Sequence, residues 1–137
     1  MTTITITTVD GLDPPESTAI ARRLSRPGSE FQVEVIQVAT GEASSSTPIA
    51  LWHEDGALLG WSASHIWDGK QTLEQFTDER HRRRGIASAL SAALVAAGKI
   101  DRSEVVAVFS PHTQSLAARL GLSTLRYERR GSEWVLA

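Results

Sequence analysis

The sequence contains no cysteine among its 137 residues, and this absence excludes a disulfide scaffold, a thiolate zinc site and a cysteine nucleophile. Its histidines share no metal-ligand spacing such as HxxxH, so we expect no histidine metal site. The sequence also lacks an excess of basic charge, because 14 Lys and Arg against 16 Asp and Glu give a formal net charge of −2. This balance disfavours a generally basic nucleic-acid-binding protein and leaves room only for a local basic patch.

A long hydrophobic run is absent as well. The longest weakly polar stretch, residues 86–98, is rich in alanine and serine and is too short to span a bilayer. Residues 1–9 alternate threonine with aliphatic side chains and carry no basic segment, which indicates a β-strand and not a signal peptide. We therefore expect no membrane partner and a cytoplasmic location.

What the sequence does contain is an ordinary globular composition. Hydrophobic residues make up 41% and charged residues 22% of the chain, which excludes a disordered or fibrous protein. A chain of this length accommodates one hydrophobic core, so we predict a single domain over residues 1–137.

The N-terminal half is predicted to add a helix and a second strand. Pro14 suits the first helical position, and Pro27-Gly28 is a stop signal, so the pattern predicts a helix between them. The period-two alternation of apolar residues predicts a strand over residues 31–39. The serine-rich residues 41–48 are predicted to form a surface loop.

Two Asp-Gly pairs, at residues 55–56 and 68–69, separate three apolar runs. Asp-Gly between apolar runs is the strongest short-range signal for a β-hairpin. We therefore predict an antiparallel meander with strands over residues 49–53, 58–67 and 72–77.

The C-terminal half changes to a helical period and then alternates helices with strands. Helical spacing of apolar residues and a terminal Gly98 predict a helix over residues 86–97. The remaining predicted elements are a wholly apolar strand over residues 105–109, a helix that begins at Ser110-Pro111, and a closing hairpin of residues 124–129 and 133–136. This element order predicts a mixed sheet with helices on both faces.

The turn before the helix over residues 86–97 has the composition of an anion-binding site. Three arginines supply cationic donors, a glycine removes a Cβ where an anion would approach the backbone, and small residues follow: these are Arg82, Arg83, Arg84, Gly85, Ala87 and Ser88. Unpaired N–H groups and the helix dipole add to the attraction. The pattern predicts a phosphate cradle; the alternatives are a solvated basic turn or a nucleic-acid patch.

Residues 82–87, Arg-Arg-Arg-Gly-Ile-Ala, match the acyl-CoA signature Q/R-x-x-G-x-G/A of the GNAT superfamily of acyl-CoA-dependent N-acyltransferases. The preceding strand, the following helix and the helix within residues 110–122 resemble the family's order over roughly the last half of the chain. The resemblance implies an α/β fold of the α+β type, with a mixed, mostly antiparallel sheet of about six to eight strands and helices on both faces. One central parallel pair, residues 72–77 and 105–109, would splay into a V-shaped opening.

The resemblance implies transfer of an acyl group, most simply acetyl, from acyl-CoA to a primary amine by direct attack, with acetyl-CoA as co-substrate and no metal. Backbone groups near Phe76 and Thr77 would align the pantetheine and polarise the thioester. Ser110 stands where the family often has Asn, and Ala117 replaces the tyrosine that usually protonates the departing thiolate. The residues implied in co-substrate binding are Phe76, Thr77, Arg82, Arg83, Arg84, Gly85, Ile86, Ala87, Ser88 and Ser110.

The catalytic candidates are Glu74, as the base that takes the ammonium proton, and His112, as a proton donor or relay. Glu104 is a rival base, and Tyr127 is a substitute acid if the last hairpin turns it toward the thioester. Each of these residues could instead be an ordinary surface group. Other polar and aromatic side chains of the meander either line an acceptor cleft or belong to surface and core: His53, His65, Trp52, Trp61 and Trp67.

The acceptor class stays open between a small molecule, a protein amine and a nucleic-acid-linked amine, and the oligomeric state stays open between a monomer and a homodimer. Two other functions remain as alternatives. One is a catalytically silent acyl-CoA-binding or regulatory module, which the alanine at position 117 favours. The other is a small nucleic-acid-binding protein that uses residues 80–84, which the net charge of −2 opposes.

Overall fold

The structure, a computed structural model, describes residues 1–22 and 30–137. Among these residues the helices are α1 (Pro14–Arg22), α2 (Glu30–Ala39), α3 (Ile86–Ala96) and α4 (Pro111–Arg119), with short 3₁₀ turns at Val9–Gly11 and Glu79–His81. The strands are β1 (Thr2–Thr8), β2 (Pro48–Glu54), β3 (Ala57–Ala63), β4 (Ile66–Trp67), β5 (Lys70–Thr72), β6 (Glu74–Thr77), β7 (Val106–Val108), β8 (Thr124–Arg130) and β9 (Glu133–Leu136).

The strands form two sheets. The first has the order β1-β2-β3-β6 and is antiparallel throughout, and the second has the order β4-β5-β7-β8-β9. In the second sheet β7 runs parallel to both of its neighbours. The mixed, mostly antiparallel fold is thus confirmed, but the expectation of one parallel pair is wrong. Because α4 returns the chain to the starting end of the sheet, β8 enters in the same direction as β7.

The predicted strands over residues 58–67 and 72–77 are each divided between the two sheets. The first breaks at Ser64-His65 into β3 and β4, and the second breaks at Leu73 into β5 and β6. The break is held by Thr72, whose N–H and Oγ1 donate to His65 O at 3.0 and 2.9 Å. A strand that leaves one sheet for the other must lose its pairing where the sheets part, and sequence periodicity does not contain that information.

Helices cover both faces. On the face that we call the α3 side, Leu90 and Leu94 of α3 and Leu116 of α4 pack with Val106 and Val108. On the opposite face, the α2 side, α1 and α2 pack on the first sheet, and the buried residues there include Ile20, Phe31, Val35, Ile49 and Trp61. These two apolar layers hold the sheets between the helices.

The strand predicted over residues 31–39 is wrong, because the chain forms α2 there. Phe31 and Val35 are fully buried, whereas Val33 is 48% and Ile36 45% exposed. Burial at i and i+4 with exposure at i+2 is a helical pattern. The apolar residues fit both periods over this short segment, so the choice depends on what they pack against.

The predicted turns and helix ends are confirmed where the structure describes them. Both Asp-Gly pairs adopt the two positive φ angles of a type I′ hairpin turn, at 50° and 84° for residues 55–56 and at 50° and 70° for residues 68–69. Gly98 ends α3 with a φ of 72°, and Ser110 Oγ caps α4 by accepting from Thr113 N–H at 3.1 Å. The helix end predicted at Pro27-Gly28 lies outside the described residues.

The two sheets part beside β7. β5 pairs with β7 through Gln71–Val106 and Thr72–Ala107, and Leu73 N–H donates to Ala107 O at 3.3 Å. After Leu73 the chain pairs with β3 as β6, so β6 and β7 diverge. This is the V-shaped opening that the resemblance implied. In residues 1–22 and 30–137, no helix has the length and apolar character needed to cross a membrane.

Candidate active site

A cavity of about 810 Å³ lies on the α3 side, at the mouth of the V-shaped opening. We call it the helix-side cavity. Most of the predicted binding residues line it, together with the predicted catalytic histidine: Phe76, Thr77, Arg82, Arg83, Gly85, Ile86, Ala87, Ser88 and His112. Sequence reasoning missed three further lining residues, Gln75, Leu116 and Arg119. The cavity therefore connects the arginine-rich turn with the opening between the sheets.

The N-terminus of α3 faces this cavity without a side-chain cap. Gly85, the N-cap residue, has a φ of 78°, and the first bond of the helix is from Ala89 N–H to Gly85 O at 3.0 Å. The N–H groups of Ile86, Ala87 and Ser88 precede that bond and have no acceptor within the helix. A Cβ built on Gly85 would meet nothing within 4 Å. An anion can therefore approach this backbone closely, as the sequence predicted.

Arginine side chains line the cavity near the helix N-terminus. Arg82 and Arg83 come from the turn before α3, and Arg119 comes from α4, which also contributes His112 to the cavity wall. Arg83 has a φ of 67°, which is uncommon for a residue with a side chain. The turn is thus shaped to place two arginines and a helix N-terminus at one spot, and this combination favours a phosphate group.

Arg84 does not share this position. Its guanidinium forms a two-contact ion pair with Glu54 of β2, and Trp52 Nε1 donates to the same carboxylate at 3.2 Å. The hydrogen bond from Arg84 is the largest cause that lowers the pKa of Glu54, and the bond from Trp52 is the next. The same ion pair raises the pKa of Arg84. Arg84 therefore fastens the turn to the first sheet instead of facing the cavity.

The outer edge of β6 presents backbone groups to the V-shaped opening. Asp78 N–H donates to Leu59 O at 2.7 Å, which continues the ladder between β3 and β6. Since bonded pairs alternate in an antiparallel ladder, the backbone N–H and C=O groups of Gln75 and Thr77 point away from β3. Thr77 O accepts a bond from Arg82 Nε at 3.2 Å on that side. The V-shaped opening has two limbs, β6 and β7, and polar backbone groups thus lie along the β6 limb.

This alternation corrects one expectation. The backbone groups of Phe76 belong to the ladder with β3, so Gln75 and Thr77, and not Phe76, present theirs to the opening. Gln75 also anchors a polar network below α3: Ser91 Oγ donates to Gln75 Oε1 at 3.4 Å and lies 3.3 Å from Ser62 Oγ. All three residues are buried. Small polar residues on the apolar face of a predicted helix are the signal that could have indicated this network.

The side chain of Glu74 projects from β6 to the α2 side and does not line the helix-side cavity. It is 3% exposed, and its Oε1 lies 3.6 Å from Nε2 of the equally buried His65. His65 stacks on Phe31 of α2 with 5.3 Å between ring centroids. Glu74 is therefore not the surface carboxylate that was its alternative interpretation, and His65 is its buried neighbour.

The other candidates are dispersed. Ser110 caps α4 and is not among the residues that line the cavity, and Ala117 is fully buried in α4. Glu104 is exposed next to the N-terminal end of β7, whereas the V-shaped opening lies at the C-terminal end, so the structure does not bring it to the site. His53 pairs with Glu16 of α1 at 3.0 Å.

The tryptophans also separate into different environments. Trp61 belongs to the core on the α2 side, and Trp52 bonds to Glu54. Trp67 belongs instead to a group of aromatic side chains on the second sheet. We call this group the aromatic cluster; it consists of Trp67, Phe109, Tyr127 and Trp134, with ring centroids 4.7 to 6.1 Å apart.

Comparison with known proteins identifies the fold. No protein-family model matches the sequence, and a search of curated proteins finds no match. Among solved structures, the chain is similar to a protein from Bordetella pertussis described as a GNAT-family acetyltransferase, with a TM-score of 0.62, 16% identity, and coverage of 95% of this chain and 91% of that one.

Two further structures agree. An aminoglycoside N-acetyltransferase solved in complex with CoA has a TM-score of 0.56 and 16% identity over 90% of this chain and 88% of its own. A ribosomal-protein-alanine N-acetyltransferase from Brucella melitensis has a TM-score of 0.53 and 18% identity over 100% of this chain and 99% of its own. The protein thus has the fold of the GNAT acetyltransferases, at sequence identities that establish the fold alone.

Proposed function

We propose that this protein is an acetyl-CoA-dependent N-acetyltransferase that acylates a primary amine. The observation that carries the proposal is the helix-side cavity, which joins the uncapped N-terminus of α3 to the V-shaped opening. The first end suits a pyrophosphate and the second end suits an extended thioester arm. Acetyl-CoA has both groups in one molecule.

The pyrophosphate is held by backbone more than by side chains. The N–H groups of Ile86, Ala87 and Ser88 point toward the cavity, and Arg82 and Arg83 add cationic donors beside them. Hydrogen bonds to charged groups are each worth about 1.5–3 kcal/mol. Several such bonds explain how a chain with a net charge of −2 binds a polyanion.

The thioester lies in the V-shaped opening, where the outward backbone groups of Gln75 and Thr77 bond the pantetheine arm and polarise the carbonyl. The amine nitrogen attacks the carbonyl carbon, a C–N bond forms, and the C–S bond breaks with its electron pair left on sulfur. The products are an acetamide and CoA. No covalent bond to the enzyme is needed.

Two protons must leave the nitrogen of the acceptor ammonium. Glu74 takes the first, through water, before attack, and releases it to solvent after the reaction. The second reaches the CoA sulfur through His112, in the first turn of α4 on the cavity wall: the imidazole gives one proton to the departing thiolate and takes the nitrogen proton in its place. This assignment gives His112 the role for which Ala117 has no side-chain group.

The test is a calorimetric titration of acetyl-CoA into the wild type, Arg82→Ala and Arg80→Ala. Arg80 lies in the same turn but not among the residues lining the cavity, so its variant matches the charge change. We expect measurable binding by the wild type, several-fold weaker binding by Arg82→Ala and unchanged binding by Arg80→Ala. Absence of binding by the folded wild type would exclude the proposal.

A second candidate function is a silent acyl-CoA-binding module, which the buried Ala117 favours. The two functions differ in turnover, which a thiol reagent detects as released CoA. Since the protein has no cysteine, its own side chains give no background in this assay. CoA binding without release in the presence of a broad set of primary amines would favour the silent module.

A further inference from the structure

Side-chain alternation places the aromatic cluster on the α2 side. Along residues 72–76, Leu73 packs in the core with α3 and Gln75 bonds to α3, so Thr72, Glu74 and Phe76 point to the α2 side. This alternation provides the reference for the second sheet, because paired residues of neighbouring strands project to the same face.

The strand register shows which side chains of the second sheet project to the α2 side. Thr72 pairs with Ala107, so position 109, directly after β7, falls on the same face. The ring centroid of Phe109 lies 6.1 Å from that of Tyr127 in β8, 5.1 Å from that of Trp134 and 5.2 Å from that of Trp67. The four aromatic rings therefore lie on the α2 side, opposite the helix-side cavity.

The cluster reaches the V-shaped opening. Phe109 directly follows β7, the limb that diverges from β6, and Glu74 lies at the start of the other limb. A donor that enters from the α3 side would present its thioester in the opening. An acceptor that approaches from the α2 side would then have a carboxylate on one limb and aromatic rings on the other.

We propose that the acceptor is a small primary amine with an aromatic or similarly flat apolar body, bound against the aromatic cluster with its amino group toward Glu74. This inference rests on the proposed acetyltransferase function. Aromatic edges and faces contribute contact area to a flat apolar group, and both a carboxylate and aromatic faces attract an ammonium. Lys70 Nζ, which lies 5.9 Å from the Tyr127 ring centroid, is already paired with Asp68 Oδ2 at 3.2 Å, so the cluster offers ring contact to a flat apolar group and no free acidic group for a second ammonium.

The experiment compares two probes of different shape, 2-phenylethylamine and putrescine, in the CoA-release assay with saturating acetyl-CoA. We expect kcat/KM to be about tenfold or more higher for 2-phenylethylamine, because only this probe gains contact with the rings. Calorimetric titration of 2-phenylethylamine into the protein saturated with CoA gives a second measurement that does not depend on turnover.

Trp67→Leu and Trp134→Leu are the informative variants, and Ile66→Ala is their matched control. Ile66 neighbours Trp67 in β4 but is 66% exposed and, by alternation, projects to the opposite face. We expect each Trp variant to lose several-fold in kcat/KM for 2-phenylethylamine and to bind acetyl-CoA as the wild type does. Ile66→Ala should retain both properties.

The outcomes separate this inference from the function on which it rests. If the protein binds and turns over acetyl-CoA but acetylates putrescine as well as 2-phenylethylamine, or if both Trp variants retain the preference, the acceptor class is wrong and the acetyltransferase stands. If the wild type does not bind acetyl-CoA, the proposed function fails and this inference fails with it.

Discussion

Leu73 donates its N–H to Ala107 O at 3.3 Å, and this bond marks the point at which β6 and β7 part. The residue before it, Thr72, is bonded on its other edge to His65. The chain therefore exchanges one sheet for the other within two residues. This exchange exposes the outward backbone groups of Gln75 and Thr77, and it creates the opening on which the proposed chemistry depends.

Gly85→Glu should weaken acetyl-CoA binding by well over tenfold, because it adds a side chain and a negative charge at the N-terminus of α3, and bonds of about 1.5–3 kcal/mol each are at stake. Gly98→Glu is a matched control, since Gly98 has a similar positive φ and equally open space at the other end of α3. Calorimetric titration of both folded variants checks the prediction. Equal binding by the two would place the phosphate site elsewhere.

Glu54→Gln should lower the thermal stability at neutral pH, because it removes the charged partner of Arg84. The folded-state pKa of Glu54 lies below its ordinary value, so its contribution is present above the unfolded pKa and is lost as the pH falls through the folded pKa. The difference in Tm between wild type and variant should therefore be largest near neutral pH and disappear well below about pH 4. A pH-independent difference would argue against the ion pair.

Glu74→Gln should lower kcat substantially and leave the Kd for acetyl-CoA nearly unchanged, because Glu74 lies on the α2 side and not in the helix-side cavity. The measurement is the pH profile of kcat together with calorimetric titration. Unchanged turnover at every pH would reduce Glu74 to a structural partner of His65. Weakened acetyl-CoA binding would instead indicate a disturbed β6.

Val35→Ala should destabilise the protein by roughly 1.5–3 kcal/mol, since Val35 is fully buried. Val33→Ala, the same substitution two residues earlier, should cost less than about 0.5 kcal/mol because Val33 is half exposed. Denaturant unfolding of both variants gives the two free energies. In a strand the two side chains would share a face, so equal costs would contradict α2.

Local chemistry made much of this fold predictable. The Asp-Gly pairs specify their hairpins because both residues tolerate positive φ, and Ser110-Pro111 specifies a helix start because it provides a cap and a fixed φ. The turn at residues 82–88 was predictable for the same reason. Its features are backbone freedom at Gly85 and small side chains after it, and both are properties of single residues.

Other features required the folded chain. Residues 31–39 satisfy two periodicities, and only packing on Trp61 of the first sheet selects the helix. The sequence assigned both Arg82 and Arg84 to the co-substrate site, and only the position of Glu54 decides that Arg82 lines the cavity whereas Arg84 forms an ion pair. Partner geometry of this kind depends on residues distant in the chain.

The sequence by itself therefore determined the order of elements from α3 onward, the hairpin turns and the anion-binding turn, because these follow from the dihedral preferences and charges of neighbouring residues. Only the tertiary structure decided which backbone groups of β6 face the opening, that Glu74 lies buried beside His65, and that four aromatic rings meet on the α2 side. The physical reason is that strand register and the parting of the sheets are set by contacts between segments far apart in sequence, and no local preference encodes them.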